Sequence, residues 1–185
     1  MKKRTIILFS IIVFIIIFVL IFKPQNLILK MIYKQDYSQY VYKYAKENDI
    51  DPLLVFSIIK VESNFKRNTK SSSNAMGLMQ LMEATAIELS NEIDEEIVTT
   101  ETLYNPDTNI KLGTKYYAYL LKQYNGNTYL ALAAYNAGMG NVNKWIEDGI
   151  IKDDGSDIEN IPFKETNSYV RKIIRDYKIY QELYK

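Results

Sequence analysis

The sequence predicts a mainly α-helical domain carried behind an N-terminal membrane-spanning helix. Three observations lead there. From Ile6 to Phe22 every residue except Ser10 is strongly apolar, behind a basic MKKR start. Two cap-plus-proline pairs, Asp51-Pro52 and Asn105-Pro106, open segments with apolar residues at helical spacing. No pair of alternating apolar segments is joined by a hairpin turn, and there is no internal repeat or low-complexity tract.

The apolar run of 17 residues would reach roughly 25 Å as a helix, at the short end of what crosses a bilayer. It is apolar all round, which disfavours a half-buried core helix. The sequence after it, Leu20-Ile21-Phe22-Lys23-Pro24, offers no small-residue cleavage site, and without cysteine no lipoprotein anchor can form. The expectation is a single uncleaved pass with MKKR in the cytoplasm and the rest outside the cell membrane. Residues 1–23 are thus read as stub and anchor, 24–36 as a juxtamembrane connector, and 37–185 as the working domain.

Composition removes most chemistries. The 185 residues include no histidine and no cysteine, which excludes Ser-His-Asp and Cys-His nucleophilic machinery, disulfides and ordinary His/Cys zinc sites. Carboxyl, hydroxyl, amide and amine groups remain. Outside MKKR there are 20 basic and 22 acidic residues, interspersed, so no nucleic-acid surface is expected. No metal and no cofactor is expected either.

Along the domain, Tyr37, Tyr40, Val41, Tyr44 and Ala45 mark one face of a helix. The helix opened by Asp51-Pro52 is largely apolar through Val61 and ends with Glu62 in its last turn. Apolar neighbours and the negative helix end both disfavour ionisation, so the Glu62 pKa should be raised, as suits a general acid. Taken by itself the residue fits an ordinary solvated glutamate at a helix end better than a general acid. A polar, serine-rich loop follows, then Gly77 to Met82. The acidic stretch Asn91 to Glu101 reads as a surface loop or short helix. Asp107 to Tyr124 is a helix with Leu112, Tyr116, Tyr119 and Leu120 as its stripe, stopped by Asn125-Gly126. The alanine-rich segment from Thr128 to Asn136 allows close packing, Trp145 closes a short helix, and Asp148 to Asn160 is a surface excursion. A last helix places Tyr169, Val170, Ile173, Ile174, Tyr177 and Tyr180 on a face that packs the domain shut.

Four blocks in order carry a resemblance. Glu62-Ser63 with Ser71, then Gly77-Leu78-Met79-Gln80-Leu81-Met82, then Ala134-Tyr135-Asn136-Ala137-Gly138, then Ile161 to Thr166 with Tyr169-Val170 resemble the catalytic domain of the soluble lytic transglycosylases. The resemblance spans about Tyr37 to Tyr180. It implies a lysozyme-like fold and cleavage of the β-1,4 bond between N-acetylmuramic acid and N-acetylglucosamine in peptidoglycan glycan strands, leaving a 1,6-anhydromuramic end. One glutamate, matched by Glu62, would act first as acid and then as base. Ser71, Gln80, Met82, Tyr116, Tyr135, Asn136 and Glu165 match groove positions, with Tyr135 matching a tyrosine whose hydroxyl points toward the catalytic acid.

Three positions depart from the family pattern: Glu83 stands in place of a proline, Asn74 in place of a glycine and Asn167 in place of an arginine. Asn tolerates left-handed backbone, so the turn at 74 can survive, and Glu83 is read as a helix-start acid. Two other functions stay open, while a third, a peptidase acting on the peptide stems, is disfavoured by the absence of histidine and cysteine. A lysozyme-type hydrolase needs a second carboxylate, for which Glu83, Asp107 and Glu165 are the positional candidates. A non-catalytic peptidoglycan-binding module would need no acid at all.

Overall fold

The computed structural model describes residues 2–22, 24–91 and 99–185. Helices account for nearly all regular structure: α1 (Lys2–Phe22), α2 (Gln25–Ile32), α3 (Ser38–Glu47), α4 (Pro52–Ser63), α5 (Glu83–Asn91), α6 (Pro106–Gln123), α7 (Thr128–Ala137), α8 (Met139–Glu147) and α9 (Lys164–Tyr184). Single 3₁₀ turns lie at Thr102–Tyr104 and Ile158–Asn160. The mainly α expectation holds, and both cap-plus-proline starts are used. Asp51 accepts a hydrogen bond from the Leu53 N–H, and Asn105 from that of Asp107. The acidic stretch read as a loop or short helix falls mostly on 92–98, outside the described residues.

Among the described residues no helix is long and apolar enough to cross a membrane, so the expected spanning helix is not supported there. Side chains of that segment, including Ile6, Ile15, Ile16 and those of residues 18–22, lie outside the described set. The stretch read as a connector forms α2 and is fastened to the domain. The Tyr184 hydroxyl donates to the Tyr33 carbonyl at 2.8 Å, and the Tyr180 hydroxyl to the Lys34 carbonyl at 2.7 Å.

Helix α4 is the centre of the core because it is apolar on nearly every side. Val55, Phe56, Ile58 and Ile59 have no exposed surface. Helix α9 lies along α4 and buries the predicted Tyr169, Val170, Ile173 and Tyr180. The two helices are joined by a buried ion pair. Asp176, 1% exposed, accepts from Lys60 at 2.9 Å, from Arg175 at 2.8 Å and from the Tyr33 hydroxyl at 3.3 Å. Removing one member of such a pair leaves the other charge buried and uncompensated. Asp176→Ala is therefore expected to lower the unfolding free energy by about 3 kcal/mol or more. Urea unfolding checks this, and a loss below about 1 kcal/mol would show the pair to be effectively solvated.

Candidate active site

Glu62 sits one residue before the end of α4, partly buried beside α9. Its Oε1 accepts a hydrogen bond from the Tyr169 hydroxyl of α9 at 2.6 Å. Burial pushes the Glu62 pKa from 4.5 up to about 7, the Tyr169 hydrogen bond opposes that rise, and the nearby charge of Glu165 adds to it. A carboxyl balanced near neutrality can both give and take a proton. The raised pKa expected from sequence is thus present, with burial as its leading cause.

The chain leaves α4 through two left-handed residues, Asn64 (φ 49°) and Phe65 (φ 63°), and enters a loop that returns at Met82. The middle of this loop is buried from Met76 to Met79, yet only two isolated bridges, Lys70 to Met76 and Met76 to Leu81, give it regular pairing. Buried backbone groups need partners, and side chains from three helices supply several of them. Ser63 of α4 donates to the Leu78 carbonyl at 2.8 Å. Tyr135 of α7 donates to the Met79 carbonyl at 2.8 Å. Asn109 of α6, fully buried, accepts from the Met79 N–H at 2.7 Å and donates to the carbonyls of Met76 and Leu103 at 3.0 and 2.8 Å. Gly77 (φ 81°) is required here, since a Cβ would come within 2.3 Å of Asn109 and the Leu103 carbonyl. Gly113 does the same for Met79, whose Sδ would lie 2.5 Å from an added Cβ.

Aromatic side chains pack together beside this loop. Tyr135 and Tyr116 have ring centroids 5.3 Å apart, and Tyr117 lies 6.5 Å from Tyr135. Burial first, and then the charge of Glu62, push the phenols of Tyr135 and Tyr169 well above the ordinary range, so both remain hydrogen-bond donors at any working pH. Tyr116 also lines a cavity of about 130 Å³ with Glu88, Tyr119 and Met139.

The other predicted positions divide. Gln80 is left-handed (φ 48°) and spends its amide on the carbonyls of Gly77 and Thr69, at 2.8 and 3.1 Å, so its NH₂ group knits the loop. Ser71 accepts from the Ala75 N–H at 3.0 Å and closes the serine-rich turn. Met82 is 44% exposed, whereas Met79 is core. Asn136 accepts from the Thr166 hydroxyl at 2.7 Å and so ties α7 to α9. Glu165 lies in the first turn of α9, and its charge acts on Glu62. Asn74 takes the left-handed conformation (φ 64°) that a glycine would, and Glu83 opens α5 as a helix-start acid. Among the described residues no acidic cluster is arranged as a metal site.

Two tyrosines stand near the acid. The Tyr135 hydroxyl donates to the Met79 carbonyl and feels the charge of Glu62, while Tyr169 makes the hydrogen bond to Glu62. Tyr169 was read only as part of a packing stripe, and its place in the fourth matched block was the signal that could have marked it. Ser63 shares that kind of signal through the first matched block, whereas Asn109 carries none, because its importance lies in backbone groups of another segment.

Residues 39–156 match the family described as the Transglycosylase SLT domain. The chain belongs to that family. Among relatives of this SLT domain, the soluble lytic murein transglycosylase of Salmonella typhimurium is 34% identical over 140 residues, 75% of this chain and 22% of that protein. The membrane-bound lytic murein transglycosylase C of Actinobacillus pleuropneumoniae is 37% identical over 120 residues, 60% of this chain and 33% of that one. The solved structure of lytic transglycosylase Slt from Pseudomonas aeruginosa, an inactive Glu-to-Gln mutant, superposes with a TM-score of 0.76 at 36% identity, over 83% of this chain and 25% of that chain. The chain thus spans about a fifth to a third of the length of these proteins.

Proposed function

We propose that this SLT domain cleaves peptidoglycan glycan strands without hydrolysis, with Glu62 as the single proton-transfer group. The observation that carries the reading is a partly buried carboxyl, its pKa pushed up to about 7 by burial, that accepts a hydrogen bond from the Tyr169 phenol. In its neutral form Glu62 gives its proton to the glycosidic oxygen as the bond to C1 of N-acetylmuramic acid breaks. The resulting carboxylate is stabilised by the Tyr169 hydroxyl and accepts the proton of the C6 hydroxyl as O6 closes onto C1. Proton count balances, one out and one in, and no water enters the product. Ser71, Gln80, Met82, Tyr116, Asn136 and Glu165 are proposed to shape the groove, Gln80 through loop geometry rather than a free amide.

A second reading, hydrolysis, is favoured by one observation: Glu165 is the carboxylate whose charge reaches Glu62. Asp107 is engaged by the Tyr44 hydroxyl at 2.5 Å, and Glu83 stands exposed at the start of α5. Purified peptidoglycan incubated with the protein separates the two by mass. Anhydro ends one water lighter than reducing ends support the first reading, and reducing ends alone overturn it.

The pKa causes predict opposite shifts in two variants. Tyr169→Phe removes a hydrogen bond that favours the carboxylate, so the alkaline limb of the rate profile should move up in pH. Glu165→Gln removes a charge that disfavours it, so that limb should move down. Cleavage rates between about pH 5 and about pH 9 check both, and equal limbs in the two variants would contradict the assignment of causes.

For location, we infer that residues 1–23 anchor a catalytic domain of residues 37–185 outside the cell membrane. Support comes from the apolar run Ile6 to Phe22 behind the basic MKKR start and from the exposed Ile7, Leu8, Phe9, Ile11, Ile12 and Phe14. Some relatives also carry the name membrane-bound. Recovery of the full chain in a carbonate-washed membrane fraction would support this, and recovery in the soluble fraction would overturn it.

A further inference from the structure

Helix α9 has a second face that glycan cleavage does not use. Lys164, Ser168, Arg171, Arg175 and Lys178 follow one another at three- and four-residue steps and therefore share one side of the helix. All five are exposed, on the opposite side from the buried Tyr169 and Ile173. Two adjoining grooves of about 660 and 440 Å³ run along this side. The first is lined by Lys164, Arg171, Lys172 and Arg175 against one acid, Glu159. The second shares Arg171 and Arg175, continues to Lys178, and has an apolar wall of Ile158, Ile174, Ile179 and Tyr129.

The groove is built rather than incidental at its centre. Arg171 Nε donates to Asn167 Oδ1 at 2.8 Å, while Asn167 Nδ2 donates to the carbonyls of Ile158 and Glu159 at 2.8 and 3.0 Å. Asn167, the departure from the family's arginine, thereby fixes the guanidinium and the opposite wall together. The terminal nitrogens of Arg171 and the ammonium groups of Lys164, Lys172 and Lys178 have no protein partner among the described residues. Elsewhere charges of both signs are mixed, so this concentration is a property of the α9 face and not of the composition.

We propose that this groove docks an extended acidic peptide, with apolar side chains between its acids, from a partner protein. Carboxylates suit the fork of Arg171, and the apolar wall accepts the alternate side chains of an extended strand. A phosphodiester chain would have no use for that wall, and a flat headgroup surface would not enter a trough. The fourteen-residue span from Lys164 to Lys178 is about 21 Å along the helix, which an extended peptide covers in about six residues. Because the groove lies behind Tyr169, its occupant leaves the Glu62 site open and can position the enzyme while it cuts.

The test titrates the full chain in detergent into a fluorescein-labelled hexapeptide of alternating Glu and Leu, with an alternating Lys-Leu peptide, polyphosphate and anionic lipid vesicles as comparisons. The expected result is binding of the Glu-Leu peptide at least about tenfold tighter than the Lys-Leu peptide or polyphosphate of equal charge, weakening as salt rises from about 50 to about 500 mM. Lys164→Glu/Arg171→Glu/Lys172→Glu should lose at least about tenfold in affinity with glycan cleavage unchanged. The single exposed change Arg171→Ala, expected to lose several-fold, serves if the triple variant misfolds. Absence of Glu-Leu binding, binding indifferent to these substitutions, or equal or tighter binding of polyphosphate or vesicles would overturn the proposal. Each of those results leaves the cleavage reading standing, because cleavage is measured separately.

Discussion

Glu62→Gln is expected to lower glycan cleavage by at least about a thousand-fold, because the amide can neither give the proton that releases the leaving oxygen nor accept one from the C6 hydroxyl. Binding of glycan strands should survive, since the shape and hydrogen-bonding capacity of the side chain are kept. The same variant makes a stability prediction of definite sign. The folded chain holds the Glu62 proton with a pKa near 7, against an ordinary 4.5, so it binds that proton more tightly than the unfolded chain does. The stabilisation is complete below about 4.5 and is lost as pH rises through about 7. Such a rise corresponds to about 3 kcal/mol for a fully enclosed group. With Glu62 partly exposed, Glu62→Gln should gain about 1–2 kcal/mol over the parent at pH 8 and nothing at pH 4. Urea unfolding at the two pH values, beside a cleavage assay, measures both effects. Retained cleavage would remove Glu62 from its role, and a stability difference independent of pH would deny its raised pKa.

Asn109→Ala is expected to cost about 4 kcal/mol of stability and to abolish cleavage without touching a group proposed to contact substrate. Three buried backbone groups, the Met79 N–H and the carbonyls of Met76 and Leu103, lose their partner at once. Each buried group left unpaired costs roughly 1–3 kcal/mol. Gly77→Ala attacks the same junction from the other side, adding a Cβ within 2.3 Å of Asn109 and the Leu103 carbonyl at a φ of 81°. Losses of similar size, read by urea unfolding, would identify the junction as one structural unit. A loss under about 1 kcal/mol for Asn109→Ala would mean that water replaces the amide there.

Much of the architecture was legible because its signals are local. Asp51-Pro52 and Asn105-Pro106 start helices through contacts within a few residues, and the stripe from Tyr169 to Tyr180 records which side of α9 is buried. Glu62 was legible for the same reason, since the apolar character of α4 announces the burial that raises its pKa. The four spaced blocks identified the family because their order survives even where Glu83, Asn74 and Asn167 depart from the pattern.

What the sequence by itself determined, then, is the helical composition, the family, the raised pKa of Glu62 and the exclusion of histidine and cysteine chemistry, all consequences of residue type and near-neighbour spacing. Only the tertiary structure decided that Tyr169 makes the hydrogen bond to Glu62, that Ser63, Asn109 and Tyr135 clamp the loop from Gly77 to Gln80, and that the segment before Tyr37 is fastened to α9. A hydroxyl or amide can satisfy any carbonyl within reach. Which carbonyl lies within reach is set by how α4, α6, α7 and α9 pack, across separations of up to about 150 residues.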